Sequence, residues 1–159
     1  MLRGFPPIED HTSRILILGT GPSVRSLQKQ QYYGHERNSF WPIMADVLGG
    51  SIETYEQKWY LLLSHDIALW DVLSGFERQG SSDAAYTEAI PNDLKSFLQA
   101  HPQIDRVVFN GQKARLLYHT LVAYEPSSLH FLTLPSTSPA YTLSYAEKLK
   151  AWQQALCLQ

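Results

Sequence analysis

A chain of 159 residues, 44% apolar and 12% aromatic, is long enough to bury one sizeable core without disulfides or metal staples. No run approaches the roughly 20 apolar residues of a membrane span, and no basic patch leads into an apolar run at the N-terminus, so the expectation is a soluble, cytoplasmic protein. A net charge of -2 and a pI near 6.3 argue against a broad electrostatic nucleic-acid binder, and a single Cys157 excludes an internal disulfide, a cysteine-rich zinc site or a cysteine-held iron–sulfur cluster within one chain.

The first 13 residues read as an irregular lead-in to a single domain covering 1–159. Arg14–Gly19 is then a short apolar run closed by the turn Gly19-Thr20-Gly21-Pro22-Ser23. Phe40, Ile43, Met44, Val47 and Leu48 form a helical stripe that Gly49-Gly50 stops. A second apolar run, Ile67–Asp71, follows. Leu94, Phe97 and Leu98 mark a helix opened by Asn92-Asp93 and ended before His101-Pro102. Arg106–Asn110 is a third run, and Ala114, Leu117 and Leu121 suggest the next helix. Leu129–Leu134 is the last run, and Ser144 with Glu147 forms a capping-box pattern ahead of Ala146, Leu149, Trp152 and Leu156. Short, nearly continuous apolar runs alternating with helices predict a mostly parallel sheet covered on both faces. Ligands of such sheets bind beyond the carboxyl ends of the strands. The polar and Gly/Pro clusters Gly19–Ser23, Trp70-Asp71, Asn110-Gly111 and Pro135–Pro139 all fall on that edge.

Each cluster admits a functional and a plain reading. The glycines of Gly19–Ser23 let backbone approach a ligand, or they form an ordinary strand-to-helix turn. The turn has the spacing of neither a Walker loop nor a dinucleotide fingerprint. In Gln31–Trp41, Tyr32 and Tyr33 beside Gly34 offer an aromatic face for a planar base, while His35, Arg37 and Asn38 supply polar groups near a helix start. Asn38 reads equally as a cap, and His35 as a structural histidine. Asp71 is a carboxylate that orients water, or a turn cap. Lys113 reads as solvated or phosphate-facing rather than as a Schiff-base nucleophile. Pro135-Ser136-Thr137-Ser138-Pro139 is a stiff, hydroxyl-rich loop, able to meet phosphate oxygens without adding charge or simply to turn the chain.

Taken together, these segments resemble the uracil-DNA glycosylase superfamily, and in detail its hypoxanthine-DNA (deoxyinosine) glycosylase branch. The resemblance rests on Gly19-Thr-Gly-Pro-Ser23, Tyr32-Tyr-Gly-His-Glu-Arg-Asn-Ser-Phe-Trp41, Leu69-Trp-Asp-Val72 with Arg78-Gln-Gly-Ser-Ser-Asp83, Asn110-Gly-Gln-Lys-Ala114 and Leu134-Pro-Ser-Thr-Ser-Pro-Ala140. The matches run in order over about residues 14 to 140. Two departures stand out: Gly21 where the branch commonly has Phe, and Glu36 where it has Pro.

The resemblance implies a three-layer α/β sandwich around a four-stranded, mostly parallel sheet. It implies monofunctional hydrolysis of the N-glycosidic bond of a flipped, deaminated base in DNA, by a monomer without metal or cofactor. Asn38 would be the catalytic residue. Gly19, Thr20, Gly21, Tyr33, Gly34, Asp71 and Asn110 would surround the base. Ser23, Pro135, Ser136, Thr137 and Ser138 would contact DNA. Three alternatives stay open: a uracil or mismatch-specific glycosylase, a non-catalytic damaged-base-binding module, and a small-molecule hydrolase with Ser23 as nucleophile.

Overall fold

The computed structural model describes residues 2–78 and 86–157. Among them a parallel sheet runs in the order β3(Ile67–Asp71), β2(Ile15–Gly19), β6(Arg106–Asn110), β7(His130–Leu134). These are the four predicted apolar runs. β2, β3 and β6 lack polar alternation because both their faces are covered, while the edge strand β7 leaves His130 and Thr133 exposed. Ile17, Leu69 and Val108 point into one core, against α2(Phe40–Leu48), α3(Tyr55–Leu63) and α6(Tyr145–Leu156). Leu16, Leu18, Val107 and Phe109 point into the other, against α4(Leu94–Ala100) and α5(Gln112–Leu117). The latter helix passes into a π turn, Tyr118–Val122. Helix, sheet and helix make the expected three layers.

The chain reaches β3 on one side of β2 and later returns to β6 on its other side, so the strand order reverses beside β2. That is where open parallel sheets leave a crevice. At the last register positions Gly19 lies against Asp71, and Asn110 against Leu134.

A second sheet was not predicted. β1(Leu2–Arg3), β4(Leu73–Arg78) and β5(Tyr86–Pro91) pair antiparallel in the order β1-β4-β5. Leu73 and Phe76 of β4 pack into the second core. The N-terminal segment thus carries a two-residue strand, and Ile8 exchanges backbone hydrogen bonds with Leu69 on the outer edge of β3 (2.8 and 2.9 Å). Residues 79–83, most of the Arg-x-Gly-Ser-x-Asp match, lie outside the described residues. No helix among the described residues is long and apolar enough to cross a membrane.

Helix α3 was also missed, although its start is well signalled. Thr54 Oγ1 accepts from the Gln57 N–H (3.1 Å), and Gln57 Oε1 accepts from the Thr54 N–H (3.1 Å), a complete capping box. Removing one arm with Thr54→Ala is expected to lower unfolding free energy by about 1 kcal/mol, read as a shifted urea midpoint at unchanged slope. At the last helix, Ser144 Oγ accepts from the Glu147 N–H (3.2 Å).

Candidate active site

At the carboxyl edge of the sheet lies a narrow cleft, open to solvent. Gly19, Thr20, Gly21, Ser23, Tyr33, Asn38, Asp71, Asn110, Ser136, Thr137 and Ser138 all line it. Residues from five separate segments therefore converge, as strand ends meeting at one crevice require.

Tyr33 is held in an uncommon way. Its backbone is left-handed (φ 53°), a conformation that costs a bulky residue about 1–3 kcal/mol. The neighbours on both sides are pinned. The Tyr32 N–H donates to Tyr55 Oη (2.9 Å), the Tyr32 carbonyl accepts from Trp41 Nε1 (2.8 Å), and the Gly34 N–H donates to Ser26 Oγ (2.9 Å). The Tyr33 ring stacks on Phe40 at 4.2 Å between centroids. One face is thereby occupied by Phe40. Gly34 itself does not line the cleft: a β-carbon there would lie 3.2 Å from Ser26 Cα. The expectation that Gly34 is among the residues around the base is corrected, because its missing side chain makes room for α1(Val24–Lys29).

Gly19 is where the close approach matters. A β-carbon on it would sit 2.7 Å from both the Tyr33 hydroxyl oxygen and Asp71 Oδ1, so these two oxygens converge over its bare face. Asp71 is buried at the end of β3, and its carbonyl is held by Asn92 Nδ2 (2.8 Å). Burial, then the charge of Asp71, then the nearby Tyr33 and Tyr55, hold the Tyr32 hydroxyl protonated far above the ordinary tyrosine range. It therefore remains a donor, to the Pro6 carbonyl at 2.7 Å.

Asn38 sits at the start of α2, where its Oδ1 accepts from the Phe40 N–H (3.0 Å). Its plain reading as a helix-start residue is thus present in the structure, and the same bond fixes the amide plane. Glu36, two residues earlier, is hydrogen-bonded by the Arg25 guanidinium and pairs with Lys29 (3.2 Å), both on α1. Arg25, its own backbone N–H and Lys29 bring the Glu36 carboxyl down to about 2. Where the branch has a proline, this chain tethers the segment to α1 with an ion pair.

Four residues expected to meet base or DNA have polar groups engaged within the fold. Asn110 spends both ends of its amide on Thr137: Nδ2 donates to Oγ1 and Oδ1 accepts from the N–H, each at 2.9 Å. Thr137 is only 1% exposed, and its carbonyl accepts from the Ser39 N–H (3.1 Å) and hydroxyl (3.2 Å). The side-chain bonds of Asn110 and Thr137 run between the two residues, and together they lock the loop to β6 and α2. Ser23 is the N-cap of α1, accepting from the Ser26 N–H (3.1 Å) and donating its hydroxyl to Ser26 Oγ (3.2 Å). The hydroxyl that a small-molecule hydrolase would need as nucleophile is turned to this cap. Pro135 does not line the cleft; its carbonyl accepts from Trp152 Nε1 (2.9 Å). Ser136 and Ser138 differ. Their Oγ atoms accept from the backbone N–H two residues on (3.1 Å each), which leaves each hydroxyl proton able to donate.

Sequence reasoning missed Phe5 and Ser26 in the lining; Tyr32, read from the sequence as part of an aromatic face, and Pro22 of the first turn line it too. Phe5 comes from the N-terminal segment and packs edge-on against Tyr32 (5.2 Å, 76°), while its carbonyl accepts from Trp70 Nε1 (3.0 Å). Gly21 and Phe5 share the cleft, so an aromatic ring is present there although Gly21 brings none.

Residues 6–159 match the Uracil DNA glycosylase superfamily. A Methanosarcina acetivorans protein named hypoxanthine DNA glycosylase is 39% identical over 114 residues, 70% of this chain and 72% of that protein. Its namesake in Methanosarcina barkeri is 31% identical over 159 residues, 96% of each chain. The solution NMR structure of a candidate uracil DNA glycosylase from Methanosarcina acetivorans superimposes with a TM-score of 0.83 at 33% identity, covering 97% of this chain and 95% of that one. With the fold, the crevice and these matches in agreement, the chain belongs to the uracil DNA glycosylase superfamily.

Proposed function

We propose that this chain excises hypoxanthine from DNA by hydrolysing the N-glycosidic bond of a flipped nucleotide, leaving an abasic site. The observation that carries the reading is the convergence of the Tyr33 ring, the Asn38 amide and the Ser136 and Ser138 hydroxyls on one cleft. The names of the two Methanosarcina relatives support hypoxanthine as the base.

A base inside a duplex is out of reach, so the nucleotide must leave the stack. Ser136 and Ser138 donate to backbone phosphate oxygens, which suits a chain of net charge -2 because hydroxyls grip without added cations. The base enters against the Tyr33 face not covered by Phe40, with the Phe5 ring also lining the cleft. As the C1′–N9 bond breaks, its electron pair goes to the base and positive charge builds on the sugar. Asn38 Nδ2 donates to the base and stabilises the charge that develops there. A water oxygen bonds to C1′ and releases its proton, and the departing base takes one up. An amide does not titrate near neutrality, so Asn38 acts by position rather than as a general base. The chain acts as a monomer, in the cytoplasm.

Duplexes carrying hypoxanthine, uracil, xanthine or a G·T mismatch, treated with protein and then alkali, test the reading. Strand scission is expected first with hypoxanthine. Intact strands from all four would overturn the assignment, and faster scission with uracil would reassign the base. Phe5→Ala is expected to slow single-turnover excision about tenfold, within the range lost when a stacking partner is removed. Unchanged kinetics would remove Phe5 from the base site.

A further inference from the structure

We propose that Lys148 is a positioning residue for DNA binding, holding the Ser136–Ser138 loop in its gripping shape through the Ser138 carbonyl. This rests on the reading above, in which that loop meets phosphate.

Lys148 lies on α6 and is 4% exposed, although lysine is almost never fully buried without a partner. Among the described residues no carboxylate pairs with it. Its Nζ donates to the Ser138 carbonyl at 3.0 Å and stands 5.7 Å from the centroid of the Tyr141 ring. Burying a cation is costly, so the few contacts that offset the cost are strong and directional. One turn further along the same face, Trp152 Nε1 donates to the Pro135 carbonyl. Two donors of one helix therefore hold the two ends of the loop. Asn110 and Ser39 hold its middle through Thr137. The loop has no cation of its own and must meet phosphate with two neutral hydroxyls, which reach an oxygen only from fixed positions. The clamp at Ser138 is what fixes the second of them.

The test separates binding from chemistry. Lys148→Met keeps the apolar stem and loses the donor; Lys148→Gln keeps a donor on a shorter stem. Affinity for a duplex with a tetrahydrofuran abasic analogue is followed by anisotropy, and the excision rate is measured at saturating hypoxanthine duplex. The Met variant is expected to bind about tenfold more weakly, the loss of one charge-assisted hydrogen bond, with its saturated rate within about twofold of wild type. Amide exchange at Ser138, Ala140 and Tyr141 should quicken. The Gln variant should lose about threefold, since a neutral donor makes a bond roughly half as strong.

Wild-type affinity in the Met variant, or equal losses in Met and Gln, would overturn the proposal. Should the Met variant not fold, Gln decides alone, and wild-type affinity with wild-type exchange would overturn it. A Ser136→Ala/Ser138→Ala double variant that binds DNA normally would instead defeat the reading of the loop, and so is told apart from a failure at Lys148.

Discussion

Asn38→Asp is expected to abolish excision as thoroughly as Asn38→Ala, each by about 100-fold or more in single-turnover rate on a hypoxanthine duplex, the usual loss for one preorganised donor. The pairing of variants is what makes the result informative. Oδ1 of Asn38 already accepts from the Phe40 N–H, and an aspartate could keep that bond. Aspartate would also be the better group for activating water. What it cannot do is donate, and beside a base that is gaining negative charge it would repel. If the Asp variant matches or exceeds wild type, Asn38 works through an acceptor and the donor mechanism fails. If the Ala variant is undiminished, Asn38 has no part in the chemistry and its structural contact to Phe40 is its whole role.

Gly19→Ala should disable the enzyme with little change elsewhere in the fold. The added methyl would sit 2.7 Å from both Asp71 Oδ1 and the Tyr33 hydroxyl. Neither group yields readily. Asp71 ends a strand buried in the sheet and Tyr33 is pinned between hydrogen-bonded neighbours. Overpacking of this kind costs about 1–3 kcal/mol in stability. A ring displaced by about 1 Å in the site costs on the order of 100-fold in rate. Urea unfolding and single-turnover kinetics read the two losses separately. Wild-type kinetics in this variant would show that the base does not use the Tyr33 face.

The sheet was legible because its two central strands are buried on both sides: Ile-Leu-Ile-Leu and Arg-Val-Val-Phe admit few other arrangements. The cleft was legible because strand ends in such a sheet must meet. Direction of side chains was not. Asn110 and Thr137 read as ligand groups from composition, and only the register of β6 against β7 turns them toward each other. Lys148 follows Glu147 in a helix that reads as surface, and its burial depends on a loop ten residues away. Phe5 precedes the first core strand by ten residues, and its place depends on Ile8 pairing with Leu69. The Thr54–Gln57 cap was visible in the sequence; the mixed polarity of Tyr-Glu-Gln-Lys-Trp-Tyr behind it hid the helix.

The loop that ends at Ser138 is tied to α6 at both ends and to β6 and α2 in between. If it meets DNA as proposed, a surface so braced has little freedom left to surrender, which favours affinity. It also has little ability to mould itself to what it meets. The deformation needed for engagement then falls on the double helix. Nucleotides that leave the stack cheaply, as a mispaired inosine does, present themselves to the crevice more often than sound ones. Discrimination therefore begins in the mechanics of the DNA, before any atom of the base is read.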